Sequence, residues 1–108
     1  MEKGEIWLLD FFSKRGKEQS GIRPSLILAD TKTDLIIASP LTSNMQASKL
    51  PFSMQIKKSD KNSLNKDSVA LILQIQTVDK KRLIHKIGIL EENYLKQIDE
   101  TIKKMLGF

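Results

Sequence analysis

Cysteine is absent from these 108 residues, which removes disulfides, thiol catalysis and cysteine-held metals from consideration. Histidine is nearly absent too: His85 stands alone, leaving little from which to build a zinc or haem site. Any chemistry must use oxygen, amide and guanidinium groups, or a metal held by carboxylates. No apolar run approaches the ~20 residues that cross a bilayer, and the opening MEKGEIW lacks the long apolar stretch of a secretory signal. A cytoplasmic protein with no membrane partner is expected. Internal repeats and low-complexity segments are also missing.

What is present suits one folded unit spanning residues 1–108. A chain of this length buries roughly two thirds of its unfolded surface in a single core, and 40% hydrophobic with 29% charged residues is a globular balance. The net charge of +5 comes in small groups: Lys14, Arg15 and Lys17; Lys57, Lys58 and Lys61; Lys80, Lys81 and Arg82; Lys103 and Lys104. Such groups attract phosphates and acidic protein segments alike, and a well-solvated basic surface has the same composition.

Hydrophobic patterning predicts a mainly β protein with a C-terminal helix. Strands are expected at Glu5–Phe12, Ser25–Ala29, Leu35–Ser39, Phe52–Ile56, Ser68–Gln74 and Lys86–Leu90. Phe52, Met54 and Ile56 alternate with polar residues, as in a half-buried strand. Leu26-Ile27-Leu28 and Val69 to Leu73 are continuous apolar runs, as in strands covered on both faces. The polar block SDKNSLNKD, Ser59 to Asp67, reads as a long exposed loop. From Glu91 onward, Leu95, Ile98, Ile102 and Met105 recur at helical spacing, acidic residues open the segment, lysines close it, and Gly107 is placed to end it. Short strands plus one packed helix predict a small SH3-like barrel.

One segment is unlike the rest. RGKEQSGIRP, Arg15 to Pro24, lies between two apolar runs and carries two glycines and a proline. Arg23 is its most informative residue. A guanidinium keeps its charge and offers paired donors that match two phosphate oxygens. Pro24 biases Arg23 toward extended backbone and starts the next strand, while Gly16 and Gly21 permit the turns.

The runs GEIWLLDF, RGKEQSGIRPSLIL, PLTSN, LPF, DSVALILQIQTVDKKRL and IGIL resemble, in order and spacing, the MazF/PemK toxins of bacterial toxin-antitoxin pairs. GKEQSGIRP is close to that family's G-x-E-Q-x-G-x-R-P, and QTVDKKRL to its R-T-x-D-K-x-R-L. The resemblance covers nearly the whole chain. It implies a homodimeric SH3-like barrel of the MazF/PemK/CcdB type that cuts single-stranded RNA at short sequences, with no metal or other cofactor, and is silenced by an acidic antitoxin. It also implies that Arg23 and Thr42 are the catalytic pair. By residue type alone, Thr42 in PLTSN is turn chemistry.

Gln19, Ser43, Asn44, Gln74 and Thr77 are candidate RNA contacts, because amides and hydroxyls read base edges and 2′-hydroxyls. Lys14, Lys17 and Lys49 are candidate phosphate contacts. Glu18 suits a loop brace better than a base, and His85, at a position where the family shares no histidine, reads as a surface or packing residue. Two departures stand out: Gln76 where many members have arginine, and Leu73 where many have an acid. Two further readings stay open, a gyrase-binding toxin like the CcdB relatives and a non-catalytic RNA- or protein-binding module of the same fold.

Overall fold

A computed structural model describes residues 1–11 and 21–108. Most of the Arg15–Pro24 loop, with Lys14, Lys17, Glu18 and Gln19, therefore lies outside the described residues. Among those described, the strands are β1 (Glu5–Asp10), β2 (Ile22–Asp30), β3 (Leu35–Thr42), β4 (Ser53–Ile56), β5 (Ser68–Leu71), β6 (Gln76–Asp79) and β7 (Leu83–Ile89), followed by helix α1 (Glu92–Leu106). They run in the order β4-β5-β3-β2-β1-β7, and β6 pairs with the first half of β3. Every pairing is antiparallel.

The expected strand-and-helix composition is borne out, but the ladder does not close. β4 and β7 are its two ends. The 57–67 connection reaches across instead, its Lys61 carbonyl accepting the Ile89 N–H at 3.1 Å.

The continuous apolar run in β2 follows from burial on both faces. Leu26 and Leu28 enter one core with Ile6, Leu41, Ile56 and Ile98, whereas Ile27 enters a second with Leu9, Ile36 and Val78. Alternation along a strand sends neighbours to opposite faces, so a strand with two covered faces shows no polar positions. Val69 to Ile72 are all buried for the same reason, but Leu73 is exposed. There the expected long strand stops after Leu71 and turns through a 3-10 segment, Ile72–Gln74. β6 follows; four residues are too few for a period to show in the sequence.

In α1 the stripe packs as its spacing predicts. Ile98 is fully buried, and Leu95, Ile102 and Met105 lie against the first core. Burying one such side chain contributes about 1.5–3 kcal/mol. Gly107 ends the helix at φ 81°, its N–H donating to the Lys103 carbonyl at 2.9 Å, the left-handed cap that glycine adopts without steric cost.

The Ser59–Asp67 block departs from expectation. It is anchored by Asn62, which is completely buried, and Leu64 is buried beside it. The Asn62 Oδ1 accepts the Ser59 and Leu64 N–H groups at 3.0 and 3.1 Å, while its Nδ2 donates to the Lys57 carbonyl at 2.9 Å and Glu91 Oε1 at 3.1 Å. A buried amide is tolerated when its hydrogen-bonding capacity is satisfied, and here it satisfies loop backbone that would otherwise need water. The block is a built wall, tied through Glu91 to the start of α1.

Asp30 performs a similar task at the end of β2. Its carboxylate accepts from Lys80 Nζ at 2.8 Å, from the Lys32 N–H at 2.9 Å and from the Met1 amino group at 3.4 Å. The lysine bond first, and then the backbone donor, hold its carboxyl well below the usual carboxylate range.

Candidate active site

β2 and β3 pair from Asp30↔Ile36 to Ser25↔Pro40. Beyond that last pair they separate. β3 bends to join β5 through Leu41↔Ala70 and Thr42↔Val69, while β2 stays with β1 through Pro24↔Leu8 and Arg23↔Leu9. Arg23 and Thr42 each lie two residues past the Ser25↔Pro40 pair, on the two arms of this fork. Pro24 explains part of the parting, since it has no N–H to give a ladder.

A cleft of about 730 Å³ opens at the fork, and Arg23, Thr42 and Ser43 all line it. Its size is in the range of small-molecule and cofactor sites. Thr42 is buried except at the cleft. Its Oγ1 accepts the Asn44 N–H at 3.2 Å, which leaves the hydroxyl proton to be donated elsewhere. Asn44 caps the 3-10 segment Met45–Lys49, its Oδ1 accepting the Gln46 N–H at 3.1 Å. That cap fixes how the chain leaves Thr42.

Not every expected contact gathers here. Asn44 adjoins the cleft in sequence without lining it, and Lys49, Gln74 and Thr77 do not line it either. Lys49 ends the 3-10 segment, Gln74 ends the turn after β5, and Thr77 sits opposite Ile37 in β6. Gln19, Lys14 and Lys17 fall outside the described residues. Neither departure lines the cleft: Leu73 is exposed, and Gln76 donates from Nε2 to the Gln74 carbonyl at 3.2 Å.

Other residues line the cleft that the sequence did not place there, among them His85, expected as a surface or packing residue. Ser63, Asn65 and Lys66 come from the wall that Asn62 anchors, and His85, Lys86 and Ile87 from β7. Lys86 Nζ stands 3.9 Å from Glu5 Oε2, a loose pairing. Burial pushes the Glu5 carboxyl up, but the Trp7 indole, the Glu2 N–H and Lys86 outweigh it, so the net shift is downward. The polar spacing of Ser59–Asp67 hinted at exposure and gave no sign of a wall. Among the described residues, no cluster of three or more histidine, cysteine, aspartate or glutamate side chains is gathered to hold a metal.

The family model for the PemK-like, MazF-like toxin of type II toxin-antitoxin systems matches residues 2–106. The chain belongs to that family. It is 35% identical to the endoribonuclease MazF of Staphylococcus saprophyticus subsp. saprophyticus, over 99% of this chain and 92% of the relative. It superposes on the crystal structure of MazF from Deinococcus radiodurans with a TM-score of 0.83, at 25% identity, covering 100% of this chain and 97% of that one. A mycobacterial endoribonuclease solved with its cognate antitoxin shares the fold at a TM-score of 0.77 and 20% identity, covering 98% and 94%. The open seven-stranded sheet with its terminal helix is thus the family's fold, and the resemblance read from GKEQSGIRP and QTVDKKRL is borne out. No helix among the described residues is long and apolar enough to cross a membrane.

Proposed function

We propose that this chain is the toxin of a type II toxin-antitoxin pair and acts as an endoribonuclease on single-stranded RNA, cutting at short sequences and leaving a 2′,3′-cyclic phosphate and a 5′-hydroxyl. The observation that carries the reading is the meeting of Arg23 and Thr42 on one cleft, at the mouth of a fork that two ladders hold open. The 35% identity to an endoribonuclease over nearly the full length supports it.

In this reaction the neighbouring 2′-oxygen attacks phosphorus and the P–O5′ bond breaks. One proton leaves the 2′-hydroxyl and one arrives at O5′, and negative charge builds on the non-bridging oxygens in between. Arg23 opposes that charge with donors whose geometry matches two oxygens. It does not serve as the base, because a guanidinium holds its proton to above pH ~12. Thr42, its Oγ1 already accepting from Asn44, donates its hydroxyl proton to the same phosphate. The attack needs no metal or other cofactor to supply the nucleophile, since the RNA carries its own.

Gln19, Ser43, Asn44, Gln74 and Thr77 remain proposed RNA contacts, with Lys14, Lys17 and Lys49 for phosphates. A homodimer is part of the proposal. Leu50, Phe52 and Leu73 are exposed on a lone chain, and the Leu73 N–H donates to the Phe52 carbonyl at 3.3 Å, which sets two of them side by side. An acidic antitoxin segment is the expected inhibitor, drawn by the net charge of +5; the mycobacterial relative solved with its antitoxin provides the parallel. A cytoplasmic site of action completes the reading.

The test is cleavage of a long mixed-sequence transcript in EDTA by the wild type and by Arg23→Ala. Discrete cuts ending in cyclic phosphates, reduced ~10²-fold or more in the variant, are expected from loss of a charge-stabilising donor. Intact RNA with folded wild type overturns the reading, and equal cutting by both proteins overturns the role of Arg23.

A further inference from the structure

β7 does not pair evenly with β1. Leu9 faces Leu83, but Leu8 faces His85, so Ile84 is an extra residue, bulged out of the ladder and exposed; a second shift, between Trp7↔Lys86 and Ile6↔Gly88, leaves Ile87 extra as well. Without that bulge Ile84 would face Leu8, and His85 would fall opposite Trp7, on the face that packs with the second core. A one-residue slip moves a side chain to the other face of a sheet. Counted from Leu83, the bulge at Ile84 therefore turns His85 to the face of Leu8, and counted from Gly88 the bulge at Ile87 does the same. Such irregularities recur beside active sites, where they re-aim side chains.

The face it reaches is the cleft. His85, Leu8 and Pro24 form one row across three strands, and all three line the cleft. Residues opposed in an antiparallel ladder project to the same side. Two strand spacings separate His85 from Pro24, about 10 Å between backbones, and Pro24 directly follows Arg23.

His85 is the one aromatic ring among the described residues lining this cleft. Asn65, on the wall built by Asn62, lines it too, and its amide has both donor and acceptor to offer. Both side chains are exposed. Ile87 adds an apolar surface, and Lys66 and Lys86 add cations at the margin. Unstacked bases of single-stranded RNA are held in this way, with a ring or guanidinium plane against the base and an amide at its edge.

We infer that His85 and Asn65 form a nucleobase subsite beside the scissile phosphate, the imidazole stacking on the base and the Asn65 amide reading its edge. The inference rests on the ribonuclease reading above. It assigns to these two residues the recognition of one nucleotide flanking the cut. The charged groups that line the cleft with His85 are Arg23 from β2, Lys86 from β7 and Lys66 from the wall. Arg23 is placed for the scissile phosphate and Lys66 suits a neighbouring one, whereas Lys86 pairs opposite Trp7 with its Nζ 3.9 Å from Glu5 Oε2.

The test uses a random-sequence RNA pool in EDTA, cut by the wild type, His85→Ala, His85→Phe and Asn65→Ala, with the new ends sequenced and kcat and KM measured on the preferred sequence. His85→Ala is expected to raise KM about 10-fold to 100-fold, the usual worth of one base-stacking contact, while His85→Phe keeps most of the wild-type affinity. Asn65→Ala is expected to relax preference at a single position next to the cut. A wild type that cuts while every variant keeps its rate and motif overturns the subsite. Loss of kcat in both His85 variants, together with loss of one limb of the pH-rate profile, also overturns it, in favour of proton transfer. A folded wild type that leaves the pool intact overturns the ribonuclease reading itself, and the subsite with it.

Discussion

Gly88 lies against the backbone of Asn62. A β-carbon at position 88 would come 2.4 Å from the Asn62 carbonyl oxygen and 2.8 Å from that of Lys61, closer than side chains ever approach. The end of β7 and the cleft wall are thereby locked together, with the Ile89-to-Lys61 hydrogen bond beside them. Gly88→Ala must push the wall away. Overpacking of this kind costs about 1–3 kcal/mol, and cleavage should fall even under conditions where the variant is fully folded. Urea unfolding and RNA cleavage on the same preparation check both; unchanged activity in a destabilised variant would show that the wall does not shape the site.

Thr42→Val keeps the shape of Thr42 while removing its hydroxyl. The Asn44 N–H loses its acceptor, a change of about 1 kcal/mol, and the phosphate loses a donor. Cleavage is expected to drop ~10²-fold, as for other single donors to a developing oxyanion, while Thr42→Ser retains most of it. Single-turnover rates for the two variants separate the hydroxyl from the methyl group.

Acid stability should carry the mark of Asp30. Its carboxyl is held well below the usual range, chiefly by Lys80, so the unfolded chain takes up that proton more readily than the native state. The stabilisation is fully present above the ordinary carboxylate value near 4 and is lost as pH falls through the depressed native value. Asp30→Asn is expected to be less stable than the wild type at neutral pH, with the difference shrinking on acidification. Thermal melts from pH 7 to pH 2 follow it; parallel pH dependence in the two proteins would refute the assignment.

Ile98 is the fully buried member of the α1 stripe. Ile98→Ala is expected to cost about 2–5 kcal/mol, and if the helix serves only to complete the core, cleavage by the folded fraction stays normal. Denaturant titration beside an activity assay corrected for the folded fraction checks the two halves together.

Where local pattern carries information, the chain was readable. The spacing of Leu95, Ile98, Ile102 and Met105 set the helix face, Gly107 its end, and the run through Leu26-Ile27-Leu28 a strand covered on both sides. Arg23 and Thr42 emerged from motif resemblance, and both line the cleft at the fork of β2 and β3. β6 escaped notice because four residues hold too little of a period, and the strand expected at Ser68–Gln74 ran past the turn at Ile72.

His85 and Asn62 lay beyond such reading. A histidine in a strand faces one side or the other according to register, and here the register depends on Ile84 and Ile87 bulging from the pairing with β1, a strand some 75 residues earlier in the chain. An asparagine in a polar block looks solvated until its amide is seen to meet Lys57, Ser59, Leu64 and Glu91 at once. Propensity, periodicity and end signals act over a few neighbouring residues, so they are written locally in the chain. The face a side chain presents and the partners of a buried amide depend on hydrogen bonds between distant segments, and they exist only once those segments have met.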